Sequence, residues 1–291
     1  MTEGTTSAES TAVKVGWWSN HTSLATRLAI AILVAAVVSL VGFLIVAVAG
    51  SGSDGEELLH HRLATTAGDR AAELNSYINT VESELEAMGS SRMLIEGIQE
   101  FSAAHDELAA LDMDDLSEEQ VDLASFYLDE YVPLLQEVRG GPVDLATVSD
   151  GLDSAAVYLQ AAYIARNPLA IGEKRMLTDA KDGSAWTEVH KDLHPILRAD
   201  SDRLGFADLY LIEPEARSIV YSTNKEIDFG TSLDSGPHSG TALAGLVVRT
   251  VALGQPGTAV GADFTSYGPA FDEPVAFAAT PLFDGDRLVG V

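Results

Sequence analysis

The chain contains no cysteine. That excludes disulfides, thiolate nucleophiles and cysteine-ligated zinc, so any folded domain must be held by its apolar core. Basic residues are scarce: 17 Lys and Arg against 44 Asp and Glu leave a formal charge of -27. A surface this acidic repels nucleic acid and anionic headgroups, and no nucleic-acid partner is expected. The acidity fits a salty environment, a cationic ligand or simply a solvated acidic face. No G-x-S-x-G elbow, phosphate loop or G-x-G-x-x-G occurs, so no constellation of residues requires an enzyme or a cofactor.

Charge is also missing from Arg27 to Asp54, where Leu28 to Ala49 form one apolar run. A bilayer core of about 30 Å takes about 20 apolar helical residues, so a membrane span is expected over 27–50. Lys14 and Arg27 precede the run, whereas Asp54, Glu56 and Glu57 follow it. The positive-inside rule then places a disordered tail, 1–26, in the cytoplasm and the rest outside the plasma membrane, with the lipid bilayer as a partner. Trp17 and Trp18 suit a headgroup layer. A rival reading is a cleaved leader, since Ala47-Val48-Ala49 has the form of a cleavage site.

Beyond the run, apolar residues recur at Leu63, Ala67, Ala71, Leu74, Ile78, Val81, Leu85 and Met88. Steps of four and three are those of a coiled-coil or bundle seam. They predict one long helix that continues toward Leu108, interrupted near Gly89-Ser90-Ser91, and a parallel homodimer. About 45 such residues would reach roughly 70 Å. Ser117-Glu118-Glu119-Gln120 reads as a capping box opening a second helix to about Val138. A third covers roughly Ser149 to Arg166 and stops at Asn167-Pro168. A fourth begins near Ser184. From Ala207 the pattern changes to strands at 208–213, 218–222, 258–264, 274–280 and 287–291, with a helix over 241–254 and a hairpin turn at Asp284-Gly285.

The segments DLYLIEPEARSIVYSTNKEIDFGTSL and DFTSYGPAFDEPVAFAATPLFDGDRLVGV resemble the PAS-like (Cache) sensor domain of prokaryotic transmembrane receptors. The preceding YIARNPLAIGEKRMLTDAKDGSAWTEVHKDLHPILR is similar to the helical segment leading into it. The resemblance covers 150–291 well and 54–150 only in layout. It implies an α+β fold: a transmembrane helix, a long antiparallel helical bundle over 51–204, then a PAS-like antiparallel five-stranded sheet with a helix over 205–291. It also implies the sensory half of a signal-transduction receptor, foremost a methyl-accepting chemotaxis protein. A histidine kinase or a membrane cyclase is the alternative output, and a surface protein without output is a further one. The last residue, Val291, falls inside an apolar strand that in such receptors leads toward a second span and a signalling module, so a receptor fragment is expected.

The same resemblance implies a ligand pocket. Tyr210 and Tyr221 lie on its first two strands, Lys225 in the following loop, Asp263 and Tyr267 around the next strand, and Phe277 on the one after. Lys225 would pair with a carboxylate and Asp263 with an amine, which suits an amino acid, another small zwitterion, or a small carboxylate or amine. The bland alternatives stay open: core tyrosines, and a Lys225 paired with Glu226 or Asp228. Phe229-Gly230-Thr231 reads as a structural turn. His190 and His194 share a helix face, but HExxH is absent and packing is the competing role. His60-His61 and the Asp112–Glu119 cluster carry no complete ligand pattern, and no metal is expected.

Overall fold

The structure, a computed structural model, describes residues 33, 35–44 and 53–291. Residues 62–291 make one compact unit. The helix α1 (Ser53–Gly89) ends at the expected Gly89-Ser90-Ser91 break, and α2 (Arg92–Ala109) follows. Leu94, Ile98, Phe101, Ala104, His105 and Leu108 line its buried face at helical spacing. In α1, by contrast, every residue from 61 to 80 is exposed.

A 3-10 turn, Met113–Leu116, then precedes α3 (Ser117–Phe126). The capping box at Ser117 is not formed. Asp112 caps the 3-10 turn instead, accepting from the Asp114 N–H, and Ser117 already lies inside the helix. A π-turn, Tyr127–Tyr131, joins α3 to α4 (Val132–Arg139), which Gly140 closes in the left-handed region. The short α5 (Ala146–Ser149) leads to α6 (Ser154–Gln160), capped by Asp153 and continued by a second π-turn, Ala161–Ala165. The helix α7 (Ala185–Leu204) runs from the Ser184 cap to Gly205, and α8 (Ala242–Leu253) from Thr241 to Gly254.

The strands β1 (Tyr210–Ile212), β2 (Ile219–Ser222), β3 (Val260–Tyr267), β4 (Glu273–Ala279), β5 (Leu282–Asp284) and β6 (Arg287–Gly290) form three two-stranded antiparallel sheets. The expected five-stranded sheet is therefore not formed. Each hairpin carries a register irregularity. Pro281, between β4 and β5, has no N–H to offer a ladder. The first and third hairpins meet where Ile212 and Val291 exchange main-chain hydrogen bonds of 2.9 and 3.0 Å.

The membrane expectation is corrected as well. Among the described residues no helix is long and apolar enough to cross a membrane. Of the run at 27–50, only residue 33 and residues 35–44 are described, and the rest of the expected span lies outside the described residues. A plasma-membrane anchor is thus not indicated. The tail at 1–26 lies outside the described residues.

One apolar cluster joins Phe101, Tyr127, Leu159, Tyr163 and Trp186 of the helices to Leu211, Tyr221 and Phe229 of the strand region. The boundary drawn at 204/205 therefore runs through a continuous core. Trp186 is fully buried and donates its indole N–H to the Val220 carbonyl at 2.9 Å. Burying a large apolar side chain of this kind contributes about 1.5–3 kcal/mol. A second cluster packs Leu243, Leu246 and Val247 of α8 against Ile212, Tyr267, Phe277 and Ala279.

Candidate functional site

Successive side chains of a strand point to opposite faces. In β1 this sends Leu211 into the first cluster and Tyr210 and Ile212 toward the second. The chain leaving β2 turns at Lys225, a non-glycine residue at φ +58°. Asp208 locks that turn, accepting from Ser222 Oγ at 2.8 Å and from the Thr223 and Asn224 N–H groups at 2.8 and 3.0 Å. Burial, and then the nearby charge of Asp228, raise Asp208 to about 6.

Lys225 and Tyr221 do not take the ligand-anchoring places expected of them. Lys225 is buried and donates to the Ser222 carbonyl at 2.9 Å rather than to Glu226 or Asp228. Its ammonium lies over Tyr163, Tyr221 and Phe229 at 5.7, 5.2 and 5.8 Å. Burial lowers its pKa to about 7, with Asp208 opposing. His194 Nε2 donates to the Arg175 carbonyl at 2.7 Å, so its Nδ1 accepts from the Tyr221 hydroxyl at 2.8 Å. Burial and the Lys225 charge hold His194 down to about 3, and its ring stacks on His190 at 4.2 Å. The histidine pair is core, and among the described residues no group of three or more metal-ligating side chains comes together.

Asp263 is also displaced. It sits exposed on β3, beside the register irregularity between Ala262 and Thr265, and is not brought to Lys225. The amine-and-carboxylate pair expected of those two residues is therefore not assembled.

Tyr210, Tyr267 and Phe277 do converge, on a residue the sequence reading passed over as an anchor. Asp228 is fully buried, and its Oδ2 accepts from the Tyr267 hydroxyl at 2.5 Å. Its Oδ1 has no hydrogen-bond partner among the described residues. Phe277 meets the Tyr267 ring edge-on at 4.9 Å. Burial raises the Asp228 carboxyl to about 6, although Tyr267 and Tyr210 both favour its ionised form. Glu226 is pushed well above the ordinary carboxyl range by burial and by the charges of Asp228 and Asp208. The Lys225 ammonium, which feels Asp208, is bonded to main-chain carbonyls instead.

The helices hold this segment in place. Gln160 Nε2 donates to the carbonyls on both sides of Asp228, Ile227 and Phe229, at 2.8 Å each. Gln160 Oε1 accepts from the Tyr127 hydroxyl at 2.8 Å. Gly230 has φ +80°, and a Cβ there would lie 3.1 Å from Ala156 Cα, so the expected structural turn at 229–231 also requires glycine for closeness. The sequence signal for Asp228 is weak: it is flanked by Ile227 and Phe229, but Lys225 and Glu226 stand beside them.

A buried carboxylate whose Oδ1 meets no donor at full hydrogen-bond geometry, with the Tyr210 hydroxyl and the Phe229 N–H near it, suits a protonated amine. The ammonium would donate a charge-assisted hydrogen bond to the carboxylate. A separate shallow groove on α1, lined by Ser76, Asn79, Thr80, Ser83, Glu84 and Ala87, offers no aromatic wall. The chain matches no protein-family model, no curated protein and no solved structure.

Proposed function

We propose that this chain is the sensing module of a signal-transduction protein and that its stimulus is a small organic amine bound at Asp228. The observation that carries the reading is the fully buried Asp228 carboxylate beside Tyr210, Tyr267 and Phe277, whose Oδ1 meets no donor at full hydrogen-bond geometry among the described residues. Leaving such an atom unpaired costs about 1–3 kcal/mol, and more for a charged group, so a cationic donor recovers a large term on binding. The resemblance of 208–233 and 263–291 to receptor sensor domains supports the same reading. A chemotaxis-type output is the foremost reading, with a kinase or cyclase as the alternative.

A second copy of the chain is the partner this reading includes. Leu63, Leu74 and Ile78 are exposed along α1 on the three-four seam, a spacing that pairs with an identical helix.

Thermal unfolding in a panel of alkylamines, amino acids and small carboxylates tests the ligand reading. Binding to the folded state raises the melting temperature with ligand excess. The expected result is a shift with an amine that disappears in Asp228→Asn and persists in Asp263→Asn. Shifts with carboxylates alone, or an amine shift that survives Asp228→Asn, would reject it.

A further inference from the structure

Asp228 is enclosed, so whatever reaches it must pass a movable part. The β3–β4 hairpin supplies one. Its base is fixed by apolar packing on α8 through Phe277 and Ala279. Its tip, Gly268–Asp272, is held quite differently. The Tyr131 hydroxyl donates to the Gly268 carbonyl at 2.9 Å, and the Tyr131 ring meets Phe271 at 4.9 Å. Arg139 grips Asp272 with both arms of its fork, Nε to Oδ2 at 2.5 Å and Nη2 to Oδ1 at 2.9 Å.

The turn so held carries strain at one residue. Phe271 stands at φ +55°, a region that bulky side chains rarely occupy, whereas Asp272 at +58° is of a type that tolerates it. Tyr267, the residue that bonds Asp228, immediately precedes this turn and pairs with Glu273 across it. The gripping side is equally specific. Tyr127 and Tyr131 are the first and last residues of one π-turn. Tyr127 supports the chain around Asp228 through Gln160, while Tyr131 holds the hairpin tip. Arg139 ends the following helix, just before Gly140-Gly141-Pro142.

We propose that Arg139 and Tyr131 clasp the β3–β4 tip as a gate over Asp228: release of Asp272 lets the strained turn relax, carries Tyr267 away and opens the carboxylate. The purpose of the gate rests on the ligand reading above, but its existence is testable without any ligand. The experiment is amide hydrogen exchange on the full chain at neutral pH, comparing wild type, Arg139→Ala and the charge swap Arg139→Asp with Asp272→Arg.

Arg139→Ala is expected to speed exchange severalfold in 267–273. It should do the same for the protected amides of Phe229, Gly230 and Thr231, which bond to Glu226, Ile219 and Asp228 carbonyls. Amides of α7 should stay unchanged, and the charge swap should restore slow exchange. Faster exchange at the tip with none around Asp228, or no change at either place, overturns the gate. Should Arg139→Ala fold poorly, Tyr131→Phe gives the same comparison. So does wild type in about 1 M salt, where the screening length falls to about 3 Å. Coupled exchange in a protein that no amine stabilises would retire the ligand and leave the gate standing.

Discussion

His194 and Asp228 are both buried ionisable residues, yet they push stability in opposite directions with pH. His194 titrates at about 3 in the folded chain against an ordinary 6.5. The unfolded chain therefore takes up its proton first, and the stability His194 contributes is complete above pH 6.5 and lost as pH falls toward 3. Asp208 and Asp228, raised from 3.8 to about 6, hold their protons longer in the folded state. Their contribution is present below pH 3.8 and lost as pH rises through 6. Between these limits the two kinds of group offset one another. His194→Gln, which keeps an acceptor for Tyr221 and a donor for Arg175, should lose less melting temperature than wild type from pH 6.5 to pH 4. The difference should be on the order of 2–4 °C per kcal/mol of linkage removed, as for a domain of this size. Parallel curves would show that His194 is not held neutral by its surroundings. Lys225 and Asp228 are three positions apart in one loop, yet one turns onto carbonyls and rings and the other faces the tyrosines. Nothing in residue type separates those outcomes.

At the scale of elements, periodicity and punctuation were legible. The break after α1, the Ser184 cap of α7, the stop before Pro168 and the Thr241 and Gly254 ends of α8 follow from local chemistry that needs no partner. Two features were not legible. The π-turns at Tyr127–Tyr131 and Ala161–Ala165 pass for ordinary helix in the sequence, because their extra residue alters register without altering composition. The hairpins were read as one sheet because strand pattern records which residues alternate, not which strands pair. The exposed seam of α1 supplies the prediction proper to this scale. Single cysteines at Leu74 or Ile78, in a chain with no other cysteine, should form covalent dimers under mild oxidation, while cysteine at Asn79, off the seam, should not. Absence of dimer at all three positions would make α1 a solitary helix.

For the whole molecule, the decisive feature is the core shared across residue 204. Phe101 of α2 packs on Trp186 of α7 at 5.2 Å and on Tyr221 of β2 at 5.1 Å. Helical and strand regions should consequently unfold together. Calorimetry is expected to give one transition for residues 92–291 with equal calorimetric and van't Hoff enthalpies, and residues 205–291 alone should show no cooperative melting. Two resolved transitions would restore the boundary at 204/205. The sequence by itself determined the acid excess, several helix ends, the three-four spacing along α1 and the aromatic content of the site, because each depends on neighbours along the chain. Only the tertiary structure decided which acid is buried, which lysine is spent and how the hairpins join. Those depend on contacts between residues such as Asp228 and Tyr267, or Arg139 and Asp272, that lie far apart in the chain and become neighbours only when the core closes.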